Sequence, residues 1–288
     1  MEDSKKRRLF EIVIGVVVVA VFAVLFVAAF NAYENETNNR TALVSMEAPK
    51  TADYVTASAR VLSVDPVKEE MTVRITFTPE GALADGGELK QELALYVNSA
   101  TGGQNRTFPK GKDMSPIDVT LDMDGMVTDY PFDHHAAFLE LYLTQPVKDS
   151  DPLSVPIKTD FTGSVTGLKI AASLNSASAD NYNLVDITTE RSQTILILVI
   201  FAMSLMWLIT LTVVFMFLAV TLRGRKIEFG MFAFMAGFLF SFVAFRNAMP
   251  GVPPIGTLSD YLAFFWGYAL ISLSLIGLTI TWLVRPAK

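Results

Sequence analysis

The sequence predicts an α+β membrane protein in which an extracytoplasmic, all-β sandwich-like domain is inserted between the first and second of four transmembrane helices. Three observations predict it. Four apolar stretches, at 12–30, 194–222, 227–245 and 261–284, are each long enough at ~1.5 Å per residue to cross a hydrocarbon core of roughly 30 Å. Between the first and second lies a long polar insert of short alternating runs punctuated by Gly, Pro and Asp, the pattern of half-buried strands. The basic residues that flank the spans cluster at one end of them, as the positive-inside rule requires.

Taken in order, residues 1–11 form a cytoplasmic amino terminus carrying Lys5, Lys6, Arg7 and Arg8. The apolar run 12–30 exceeds the roughly 7–15 residues of a cleavable secretory core, so it is expected to be a retained signal anchor. Residues 31–191 form the extracytoplasmic domain. Strands are expected at 54–64, 71–78, 92–97, 117–121, 138–144, 154–160 and 168–174, with a short helix opening the stretch 82–95. The clearest is the second, where Val73, Ile75 and Phe77 alternate with Thr72, Arg74, Thr76 and Thr78, giving one apolar and one polar face. Asp65-Pro66, Gly102-Gly103 and Asp124-Gly125 are turn signals between them. The stretches 31–50 and 175–191, rich in Asn, Ser, Thr and Asp, read as extended linkers to the neighbouring spans.

The second span, 194–222, is followed by a cytoplasmic turn at 223–226 that contains Arg223, Arg225 and Lys226. The third span, 227–245, leads to an outer Pro-rich loop at 246–260. The fourth, 261–284, ends in a cytoplasmic carboxyl terminus at 285–288. This places both termini in the cytoplasm, in a plasma (inner) membrane, with the large domain outside.

Charge divides the same way. Between 31 and 191 there are 24 acidic and 13 basic residues, a balance of −11; the remaining 5 acidic and 10 basic residues give +5, and the two make the formal −6. An acidic exterior over a basic rim excludes nucleic acid as a partner, because phosphate neutralisation needs Lys and Arg. There is no cysteine, so no disulfide, thiolate metal site or cysteine nucleophile is available. No cofactor is expected.

Candidate chemistry is sparse. Asp118, Asp122, Asp124 and Gly125 hint at a calcium loop, but Pro131 stands where the pattern needs a bidentate Glu. His134 and His135 are the only histidines; on a strand, consecutive side chains face opposite ways and do not share an ion. Three sequons begin at Asn35, Asn39 and Asn105. Tyr130, Pro131, Phe132 and Asp133 are expected to form a structural corner, with Asp133 capping backbone amides and both rings wedging the turn. The Pro-rich loop, with Pro250, Gly251, Pro253, Pro254 and Gly256, is stiff because proline fixes its own backbone. It is expected to cap the bundle beneath the sandwich. Arg246 and Asp260 flank it as an expected ion pair, and Phe265 and Trp266 follow it. The spans hold almost no ionisable groups, which removes the usual residues of a proton or ion pump.

The chain resembles the family described as domain of unknown function 4436, multi-span membrane proteins of actinobacteria with relatives in fungi. The resemblance rests on Asp124-Gly125, the Tyr130 to Asp133 quartet, Phe245-Arg246-Asn247, Met249-Pro250-Gly251, Pro253-Pro254-Ile255-Gly256, Asp260 and Phe264-Phe265-Trp266. It implies this topology and assigns no activity. The role expected from the residues is non-enzymatic: an accessory or scaffold subunit of an envelope or lipid-transport complex, embedded in the lipid bilayer, whose β domain docks a membrane-protein partner. The alternative is a lipid-like ligand bound at the junction of sandwich and bundle, against Pro253, Pro254, Phe265 and Trp266.

Overall fold

The computed structural model describes residues 2–38 and 42–285, without the side chains of residues 2–8, 10, 11, 14, 17, 18, 36–38, 42 and 43. It is α+β: a β-sandwich-like region and three helices apolar and long enough to cross a membrane, Gln193–Leu222, Phe229–Asn247 and Asp260–Val284. The first helix, α1 (Glu2–Asn38), contains a shorter apolar stretch, Val19–Asn35, among the described residues. The sequon at Asn39 lies outside them.

One sheet has five strands. It comprises β1 (Ala42–Ser45), β2 (Val55–Asp65), β3 (Glu70–Pro79), β6 (Ile117–Asp122) and β8 (Ile157–Gly163), in the order β1-β8-β2-β3-β6. Only β8 and β2 pair in parallel. The second sheet is built on β4 (Leu93–Val97), β5 (Gln104–Phe108), β7 (His134–Gln145), β9 (Leu168–Leu174) and β10 (Tyr182–Arg191), in the order β9-β10-β7-β4-β5. Two short strands, Asp124–Gly125 and Leu153–Ser154, add to β7.

Alternation makes the core. Val73, Ile75 and Phe77 of β3 face Val55, Ala57, Ala59 and Val61 of β2 on the inner side, and Leu139, Leu141 and Leu143 of β7 close over them from the other sheet. Apolar area removed from water at about 25 cal/mol per Å² holds the two layers together. Asn183 adds a polar tie: buried on β10, it donates to the Ile157 carbonyl and to Thr159 Oγ1 across the sandwich, at 2.7 and 2.8 Å.

Both expected linkers are corrected. The stretch 175–191 contains β10, an inner strand between β9 and β7, because its inward positions are Asn183, Val185, Ile187, Thr189 and Arg191. Polar residues at three of those five hide the period of two. The stretch 31–50 contains the end of α1 and the edge strand β1. Pro156 delays the strand expected at 154–160, so that β8 starts at Ile157. The polar edge strand β5 also went unread, its first four residues being exposed. The helix expected to open 82–95 is a single 3₁₀ turn, Gly81–Leu83.

Three helices complete the chain: α2 (Gln193–Leu222), α3 (Phe229–Asn247) and α4 (Phe265–Val284), the last entered through a π-helical turn at Asp260–Phe264. Only Ser192 separates β10 from α2, and its hydroxyl accepts from the Ile195 amide as an N-cap. The helices pack closely where Gly267 of α4 crosses, for a Cβ there would stand 2.7 Å from Phe242 and 2.8 Å from Thr210.

Candidate functional site

The sandwich meets the helices at a polar junction whose floor is the loop between α3 and α4. Two strands deliver the sandwich's share. In the β7–β10 ladder His134 faces Glu190 and His135 faces Thr189; one step further, Asp133 and Arg191 stand opposite each other on the inner face. Arg191 donates to Asp133 through Nε to Oδ1 at 2.9 Å and through Nη2 to Oδ2 at 2.7 Å. His135 Nε2 lies 3.1 Å from Oδ2. Asp133 is 1% exposed and Arg191 9%, and a buried charge is tolerated at such depth only when paired and hydrogen-bonded. Burial alone would raise the Asp133 carboxyl, but the bonds from Arg191 and then His135 outweigh it and hold the group below its ordinary value. Asp133 was expected to cap backbone amides; its oxygens serve the Arg191 and His135 side chains first, and its own backbone amide beside them.

Tyr130 follows a different course from its neighbour Phe132. The Tyr130–Pro131 peptide is cis, and the Tyr130 ring belongs to the buried cluster of the helices, the one that includes Met249 and Phe242. Its hydroxyl donates to the Pro250 carbonyl, and its own carbonyl accepts from the Ser259 amide. The Arg191 guanidinium lies 5.0 Å above its ring, a cation–π contact. Burial pushes the Tyr130 hydroxyl up to about 12, so it stays protonated and donating. Phe132, expected to wedge the corner with it, is half exposed, while Pro131 is buried.

The loop has its own pair. Arg246, at the end of α3, donates through Nε and Nη2 to the two Asp260 oxygens, both at 2.7 Å. Its remaining donors reach the carbonyls of Pro253 at 2.9 Å and Pro254 at 2.7 Å. Asp260 Oδ2 also accepts from the amides of Gly256 and Thr257. Prolines suit this arrangement: they lack N–H groups to satisfy and leave their carbonyls free for Arg246. Gly251, with φ of 75°, lets the loop pass under Arg191, since a Cβ there would stand 2.9 Å from Nη1.

The junction thus brings together Tyr130, Asp133, Arg246, Pro250, Gly251, Pro253, Pro254, Gly256 and Asp260. It does not include Phe265 and Trp266, which are 37% and 62% exposed on the flank of α4. Arg191 and His135 are the members the sequence did not disclose. His134, opposite in facing, is exposed. The two orphan atoms nearest the network, His135 Nδ1 and Thr189 Oγ1, are buried cross-strand neighbours without a partner among the described residues. Asp118 of the expected acidic loop is paired with Arg74 on the adjacent strand. The sequon at Asn105 lies on the exposed β5.

Fold and junction define a class: membrane-associated α+β proteins in which a β-sandwich meets apolar helices through the hydrogen bonds of a buried tyrosine, with a buried ion pair on either side. Residues 46–189 match the family model described as Domain of unknown function (DUF4436), and residues 191–285 match Domain of unknown function (DUF8686). The chain belongs to the DUF4436 family. The boundary between the two matches runs through the junction, so Tyr130 and Asp133 belong to one region and Arg191, Pro250 and Arg246 to the other. No curated protein matches the chain.

Proposed function

We propose that this chain is a non-enzymatic, multi-pass protein of the cell envelope, with four spans, both termini in the cytoplasm and the sandwich outside. It serves as an accessory or scaffold subunit whose acidic sandwich holds a membrane-protein partner at a fixed height above the bilayer. One observation carries this reading: the charged groups of the junction are spent on one another, and Tyr130 bonds the sandwich to Pro250 and Ser259 of the helical loop. Asp133 and Asp260, the buried carboxylates, each face an arginine bidentately, which suits a rigid mount better than proton transfer. The excess negative charge of the sandwich favours a partner with a basic face, because complementary potentials set partner choice and approach rate.

Co-purification from the native membrane in mild detergent, followed by mass spectrometry, tests the role. A recurring membrane-protein companion is expected, lost when the salt concentration is raised; repeated recovery of the chain alone would remove the proposal. Topology is tested separately by a tag inserted after Ala100, in the loop before β5. It should be reached by an impermeant reagent on intact cells, and protection until lysis would overturn the placement.

A further inference from the structure

A groove of about 450 Å³ lies between the sandwich-proximal end of α1, the first turn of α2 and strand β9. Its walls include Ala32, Pro131, Phe132, Leu168, Ile170 and Leu196. Phe132 is half exposed here, the large side chain for which the junction found no use. The volume falls within the ~300–1,000 Å³ of ordinary small-molecule sites. The helix faces that form the groove run on along the helices, from Ala32 to the exposed Ala28 of α1 and from Leu196 to the exposed Ile200 of α2, each four residues away.

The polar rim shows what kind of head the occupant carries. Lys169 is bonded to Glu190 at 2.6 Å, His134 Nδ1 lies 3.9 Å from the same carboxylate and Arg191 is bonded to Asp133, so each basic group at the groove has a carboxylate beside it. Ser164 and Gln193 line it as well, exposed and without a side-chain hydrogen bond among the described residues. An anionic head would meet no spare positive charge, whereas an uncharged or zwitterionic one finds neutral donors and acceptors.

We propose that this groove binds one acyl chain of a glycerolipid from the adjacent leaflet, with its uncharged or zwitterionic head at the Ser164 and Gln193 rim. The proposal rests on the membrane placement proposed above. It differs from the lipid site expected at Pro253, Pro254, Phe265 and Trp266: Phe265 and Trp266 face outward from the bundle, and Pro253 lines a separate groove beside Asp65, Lys68 and Glu70.

The full chain, reconstituted in phosphatidylcholine vesicles doped with a phosphatidylcholine bearing a diazirine in its acyl chain, is irradiated and mapped by mass spectrometry. Labelling is expected on peptides containing Phe132 and Leu168 as well as on Phe215, which is exposed on the flank of α2. Ala32→Trp, which fills the groove, should cut the Phe132 and Leu168 labels about tenfold and leave Phe215 unchanged. Leu168→Gln, close in volume but polar, should lower them in the same direction and guards against a misfolded first variant. Label on Phe215 without label in the groove, or groove label indifferent to both variants, overturns the site and spares the membrane placement. No label at Phe215 overturns the placement itself. Groove label that needs phosphatidylglycerol overturns the ligand class.

Discussion

The two buried Arg–Asp pairs of the junction use the same atoms at closely similar distances, 2.7–2.9 Å, and differ in what they join. Arg246 and Asp260 are separated by 14 residues, Arg191 and Asp133 by 58. The first pair sits in a setting supplied by its own loop, with two proline carbonyls on the arginine and two backbone amides on the carboxylate. The second takes its setting from separate parts of the chain: the β7–β10 register, the corner at Tyr130 and Pro131, and the His135 ring. One pair finishes a hairpin; the other ties β10 to the start of β7 at the end of the sheet that meets the helices. The same chemistry thus serves closure of a loop in one place and the joining of strands distant in sequence in the other.

Removing one carboxylate from each pair gives the largest test. Asp260→Ala and Asp133→Ala each strand a buried guanidinium, a loss of about 3–5 kcal/mol. The Asp260 change should lie at the upper end, because it also abandons the Gly256 and Thr257 amides. Thermal unfolding in detergent, followed by tryptophan fluorescence, should show a lowered transition for Asp260→Ala. Since all the tryptophans lie in the helices (Trp207, Trp266 and Trp282), circular dichroism of the β signal is needed beside it. For Asp133→Ala the two signals should separate as sandwich and helices uncouple. Coincident shifts of the same size in both variants would erase the distinction between the pairs.

Replacing both partners sharpens it. Asp133→Leu combined with Arg191→Met should recover most of the loss, since no uncompensated charge remains. The same exchange at Arg246 and Asp260 should recover less, because it leaves the Pro253 and Pro254 carbonyls and two amides without partners. A smaller effect, of about 1–3 kcal/mol, is expected for Gly251→Ala, where a Cβ would crowd Arg191 from a left-handed backbone. It should fall only in part on top of Arg191→Met, since the crowding goes and the left-handed backbone strain stays, which a two-by-two comparison of midpoints reads directly.

Acid gives a graded version of the same test. Asp133 has a depressed folded value, so its contribution to stability is complete above the unfolded carboxylate value of ~3.9 and is lost as pH falls through the lower folded value. The difference in midpoint between wild type and Asp133→Asn should therefore shrink below about pH 4; a difference constant down to the acid limit would contradict the depression. The smallest effect is expected outside the junction. Arg74 and Asp118 form a bidentate pair on the sandwich surface, but both side chains are about half exposed at 51% and 47%. Arg74→Ala should leave the midpoint nearly unchanged, the result expected if burial, and not pairing as such, gives the junction its weight.

Much of this was legible in residue order. Apolar runs mark α2, α3 and α4, because a helix that must bury or embed its whole surface cannot hide its composition. Val73, Ile75 and Phe77 mark β3 by their period of two. Arg246 and Asp260 stand out because they bracket a short, proline-stiffened loop that leaves them few other partners. β10 was harder. Its inward Asn183, Thr189 and Arg191 break the apolar alternation, each for a reason outside the strand: a tie to β8, a place beside His135, and the Asp133 carboxylate.

What the sequence by itself determined is therefore whatever neighbours along the chain settle among themselves: which segments are apolar enough to span, which alternate, and which charges face each other across a turn. The seating of the sandwich was decided by the tertiary structure. Arg191 meets Asp133 only once β10 lies against β7 in one register, and Tyr130 reaches Pro250 only once the corner carries it out of its own sheet. A contact across 58 or 120 residues leaves no period in the sequence, because its geometry belongs to the packing of whole elements.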